Sequence, residues 1–164
     1  MNQQFDFDLA KTDFNYSLRG YLSSLDSLMD LVSDLSDDVY QFVPPLQDSW
    51  SIKKQIHHLL EKETNSFVLP NRDQLQLTPG KVREYKMDGD GLSPEQVFDE
   101  LKRLRTIVSA QLQITKISGN ETCSLISGSQ GTIEMSWNNG LIAIVNHQYF
   151  HEALIERNIE LIQE

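Results

Sequence analysis

Cysteine is nearly missing from this chain: Cys123 is the only one, which excludes an internal disulfide and any cysteine-rich zinc site and leaves a small, inert thiol as its expected role. Basic side chains are also scarce. Fourteen Lys and Arg stand against 24 Asp and Glu, for a formal net charge of -10, and the resulting field repels phosphate backbones and anionic lipid. Nucleic acid is therefore not an expected partner. No apolar run approaches the roughly 20 residues of a membrane-spanning helix, and the opening MNQQFDFDLA has neither the basic nor the apolar region of a signal peptide. No membrane partner is expected, and a cytoplasmic location is.

What is present is an ordinary folded composition. The 164 residues, 39% of them hydrophobic, are enough for one domain spanning 1–164 with a core of its own. Phe14, Leu18, Tyr21, Leu25, Leu28, Val32 and Leu35 recur at spacings of four and three, the seam of a helix over 13–35. The acidic stretch 36–49, with Pro44-Pro45, cannot continue that helix and reads as a connector. Ser51 caps a second helix over 51–68, whose apolar face is Ile52, Ile56, Leu59, Leu60 and Phe67, with Glu63 set into it.

Helical spacing is lost from 71 to 92. Pro79-Gly80 and Asp88-Gly89-Asp90-Gly91 mark turns there, the latter lacking the later ligands of a calcium loop. Ser93-Pro94-Glu95-Gln96 opens a third helix over 94–115 with a capping box, and Lys102, Arg103 and Arg105 beside Asp99 and Glu100 read as its solvated face. A second long connection, 116–135, holds a short extended piece at 132–135. Ser136 caps a last helix over 137–162. The expected fold is all-α, a four-helix bundle with two long connections.

The chemistry-bearing stretch is Asn146-His147-Gln148-Tyr149-Phe150-His151-Glu152. Two histidines four apart lie on one helix face and can offer two nitrogens to one metal ion. At about 100° per residue His151 sits about 40° and His147 about 80° from the centre of the apolar stripe, so both point toward the core side. The remaining histidines are the adjacent pair His57 and His58. Both lie beyond about 90° from the stripe of their helix, and periodicity does not choose between them.

Trp50-Ser51 opening a helix, His58 eight residues after the Trp, and the later His147-x-x-x-His151 together resemble the DinB/YfiT-like superfamily of bacterial four-helix bundles. The resemblance covers nearly the whole chain; the Gly and Gln frequent after the last His of the family are replaced here by Ala153 and Leu154. It implies a divalent metal ion (nickel, zinc, iron or manganese) held by His58, His147 and His151, with an open position for water or substrate. It also implies thiol-dependent transferase or hydrolase chemistry on a small-molecule substrate, a low-molecular-weight thiol as co-substrate, and a homodimer. Glu63 and Glu152 are candidates to orient a ligand imidazole or accept a proton, against the plainer reading of each as a surface or edge glutamate. The competing reading is a non-catalytic metal-binding or interaction bundle that keeps the fold.

Overall fold

The computed structural model of the chain describes residues 13–163. The first rod begins where Asp13 accepts a hydrogen bond from the Tyr16 N–H at 2.7 Å, and consists of α1 (Phe14–Ser23) and α2 (Leu25–Val32). The two meet at Ser24, which keeps right-handed helical dihedrals. The interruption has a local cause. The Tyr21 carbonyl accepts from Arg105 Nη1 at 2.8 Å, so a side chain of another helix claims a carbonyl that the helix ladder would use.

The expected connector 36–49 contains a helix, α3 (Asp37–Gln41). Proline forbids helix only from Val43 onward, and Tyr40 fixes the turn by donating its hydroxyl to the Val32 carbonyl at 3.1 Å. The second rod is α4 (Ile52–Glu63), started by Ser51 accepting from the Lys54 N–H. It widens into a π-turn at Thr64–Val68 and ends in a 3₁₀ turn at Leu69–Asn71, where Pro70 stops it. The 71–92 segment is irregular apart from a short turn at Gly89–Gly91 and is pinned by Asn65, which both donates to and accepts from the Tyr85 backbone.

The third rod, α5 (Pro94–Ile114), carries the expected capping box between Ser93 and Gln96. The second connection is more ordered than the sequence indicated. Instead of a lone extended piece at 132–135, it forms an antiparallel hairpin of β1 (Thr122–Ser127) and β2 (Gly131–Ser136), in the register Leu125↔Ile133. Asn71 clips the hairpin to the end of the second rod through the Ser124 N–H and carbonyl. The last rod, α6 (Trp137–Gln163), follows directly. At its start Gly140 has no room for a side chain, because a Cβ would stand 2.7 Å from Cys123 Sγ and 2.9 Å from the Phe67 ring.

Four helical rods pack as a bundle, as expected. Its core falls into two apolar halves: one around Leu18, Tyr21, Phe67, Val108, Trp137 and Leu141, the other around Leu28, Ile52, Ile56, Leu60, Leu101 and Ile155. Between them every rod contributes polar side chains to a buried layer: Ser24, Glu63, Arg105, Gln148 and Glu152. Arg105, expected on the solvated face of its helix, is only 2% exposed. It forms a bidentate pair with Glu63 at 2.8–3.2 Å and donates to the Tyr21 carbonyl and Ser24 hydroxyl. That set of partners offsets the cost of burying the guanidinium.

Candidate metal centre

The candidate site lies at the level of this polar layer, on the side of α6 that faces α4. The two helices run antiparallel, with Gln55 opposite His151 and the Trp50 carbonyl accepting from Asn158 Nδ2 at 2.8 Å near the other end. His58, His147 and His151 each bring one ring nitrogen into a cluster whose atoms lie within 4.8 Å of one another. The Nε2 atoms of His147 and His151 are 3.2 Å apart. Two imidazole nitrogens on one tetrahedral zinc ion would stand about 3.4 Å apart at ordinary bond lengths. The His147 and His151 nitrogens therefore already stand at the spacing of two ligands of one ion, and the His58 nitrogen, within 4.8 Å of them, is the one that would draw in to complete the set.

The adjacent histidines of α4 part company. His58 joins the cluster, with ring centres 5.3 Å from His147 and 5.1 Å from His151. His57 is buried elsewhere, against the 71–92 segment beside Asp88 and Leu92. One residue of separation turns a helical side chain by about 100°. That rotation is the difference the apolar stripe left open.

The surroundings favour neutral, metal-ready imidazoles. Burial pushes His151 down to about 3, with the His147 and His58 rings adding to the effect. Burial likewise pushes His147 down to about 4, helped by His58 and Lys62. His58 is lowered for the same first reason, opposed by Glu61. Uncharged rings at neutral pH have lone pairs to give and no proton to lose on binding.

One carboxamide sets the orientation of the innermost ring. Gln55 is buried and its Oε1 lies 3.1 Å from His151 Nδ1. A carbonyl oxygen can only accept, so Nδ1 carries the proton and Nε2 presents its lone pair. Trp50 forms one wall, edge-on to His58 at 5.1 Å and near-parallel to His151 at 6.3 Å. Phe150, 60% exposed, also stands against His151, in a T-shaped contact at 5.3 Å.

The sequence does not single out Gln55 as a site residue, and it marks Trp50 only as the opening of a helix. The signal was there for Gln55: it falls among Ile52, Ile56 and Leu59, on the buried face, where an uncharged polar side chain needs a partner. Trp50 precedes the helix and has no periodicity to place it.

Glu63 and Glu152 are both buried, at 3% and 6% exposure, so the surface reading fails for both. Glu63 is held by Arg105. Glu152 accepts from Gln148 Nε2 at 2.6 Å and from Ser27 Oγ at 2.9 Å, while burial raises its carboxyl above the usual range. Their hydrogen bonds run to the polar layer, on the face of α6 adjacent to the histidines. Cys123 is buried, its thiol pushed up to about 12 by burial, in keeping with an inert role.

No family model and no curated protein matches the sequence. The fold does have solved counterparts. The chain is similar to YfiT from Bacillus subtilis, described as a probable metal-dependent hydrolase with an unusual four-helix bundle topology. The match has a TM-score of 0.66 at 14% identity and covers 99% of this chain and 94% of that one. At that identity it is the fold that is shared, a four-helix bundle as the order of helices and connections in the sequence implies. Among the described residues no helix is long and apolar enough to cross a membrane.

Proposed function

We propose that the chain is a metal-dependent enzyme acting on a small molecule, with hydrolysis as its reaction, and that His58, His147 and His151 hold one divalent ion. The observation that carries the reading is the convergence of three neutral imidazoles from two facing helices within 4.8 Å; the description of YfiT as a probable metal-dependent hydrolase supports the reaction class. An ion held by these three residues would supply Lewis acidity toward a nucleophile or a substrate oxygen. The chain's own part is to fix the rings. Gln55 holds the tautomer of His151, Trp50 packs His58 in place, and Trp50 with Phe150 gives the substrate an apolar surface beside the reacting position.

The transferase form of this reading adds a low-molecular-weight thiol as co-substrate. It and a homodimer rest on the family resemblance, and a cytoplasmic location rests on the sequence's want of a signal-peptide pattern and of a long apolar run. Among nickel, zinc, iron and manganese, an all-imidazole donor set suits the first three better than manganese, which favours oxygen ligands.

The test is elemental analysis of protein purified without a histidine tag. We expect close to one ion per chain in the wild type, sharply reduced in His58→Ala, His147→Ala and His151→Ala and retained in His57→Ala. Equal, negligible metal in wild type and variants under metal-replete conditions rules the reading out. Turnover of ester and amide panels with and without added thiol then separates hydrolysis from transfer.

A further inference from the structure

The substrate's charge can be read from the helix that carries His58, if the metal reading above holds. Lys54, His58 and Lys62 are spaced four apart on α4, so the two lysines stand on the histidine's own face, each about 6 Å along the axis from it. Both are held by specific contacts. Lys54 Nζ lies 4.5 Å from the centre of the Trp50 ring, which is the wall of the site. Lys62 Nζ donates to the Ile126 carbonyl of the hairpin at 2.9 Å, which uses one of its three N–H donors and holds the ammonium one helical turn from His58.

In a chain of net charge -10, two cations flanking the site make a local exception that would draw an anion in. The acidic group at the same rings is Glu61, whose Oε2 lies 3.3 Å from His58 Nδ1. That is the ring atom left over when Nε2 serves as ligand. The lysines differ in reach. The Lys62 charge acts on both His58 and His147, that of Lys54 on His58 alone, and Lys54 is already engaged by an aromatic face.

We propose that the site takes a small organic carboxylate, and that Lys62 receives the carboxylate while the reacting group lies at the three histidines, with Trp50 and Phe150 against the apolar part between.

The experiment uses the full chain loaded with cobalt(II) and two probes that share a metal-binding hydroxamate: succinic acid monohydroxamate and its methyl ester. Binding is followed by the visible absorption of the bound cobalt. The wild type is expected to bind the acid at least tenfold more tightly than the ester. Lys62→Gln should erase the preference by weakening the acid alone, with cobalt stoichiometry and helical circular dichroism unchanged, and Lys62→Arg should keep it. Equal affinities in the wild type, a preference that survives Lys62→Gln, or loss of both probes together in that variant overturns the proposal. Cobalt bound one per chain without discrimination removes this inference and leaves the metal reading standing. Failure to bind cobalt at all sinks both.

Discussion

At the scale of single residues, the centre depends on how firmly each imidazole is aimed. His151 is the most buried of the three and the one whose far nitrogen has a carbonyl partner, Gln55, at 3.1 Å. Without that acceptor the ring can place its proton on either nitrogen, and the tautomer with Nε2 protonated cannot ligate. Gln55→Leu fills the same space without an acceptor. We expect it to fold as the wild type does and to bind zinc about 10–100-fold more weakly, measured by competition with a chromogenic chelator. An unchanged affinity would show that helix packing alone aims the ring. Removing Phe150, exposed at the rim, has no such effect on metal in this account, since its contact with His151 is a T-shaped ring pair and supplies no acceptor to a ring nitrogen.

At the scale of elements, the four rods are joined by the polar layer as much as by apolar packing. Arg105 on α5 binds Glu63 at the end of α4 and two groups of the α1–α2 junction. Arg105→Met leaves a buried carboxylate without a partner, which costs about 3–5 kcal/mol and should appear as a lower urea midpoint. Adding Glu63→Leu should recover most of that loss. Recovery stays incomplete, because the Tyr21 carbonyl and Ser24 hydroxyl still lack their donor. A double variant no more stable than Arg105→Met would mean that Glu63 is not what Arg105 neutralises.

This layer also marks where the sequence stopped being readable. The rods, the Ser93 capping box and the His147–His151 pair are local patterns set by a helical period, and they stand in the structure as the sequence implied. Arg105 lies among Lys102 and Arg103, and no local pattern separates a buried arginine from two exposed neighbours. Its partner is 42 positions away. The first strand of the hairpin likewise has no local pattern to mark it. Thr122–Ser127 is short and rich in Ser, and it becomes a strand through pairing with β2 and the grip of Asn71 rather than through its own propensity.

At the scale of the whole molecule, all four histidines are lowered by burial, and this ties stability to pH. In the unfolded chain a histidine takes up its proton near pH 6.5; in the folded chain His147 and His151 do so only near 4 and 3. Between those limits the unfolded state binds more protons, so their contribution is complete above about pH 6.5 and is lost as pH falls toward 4. Two effects act the other way. The raised carboxyl of Glu152 contributes stability on the acid side that is lost as pH rises, and the net charge of -10 shrinks toward the pI of about 4.8, relieving self-repulsion. A difference measurement isolates the histidines. With a chelator present, thermal unfolding of the wild type and of His147→Gln/His151→Gln is followed from pH 7.5 to 5. The carboxyl and net-charge effects are common to both proteins, so the wild type should lose more stability over this interval than the double variant. Parallel curves would mean that the two rings are already protonated in the folded protein at pH 5, too charged to be the metal-ready donors this site requires.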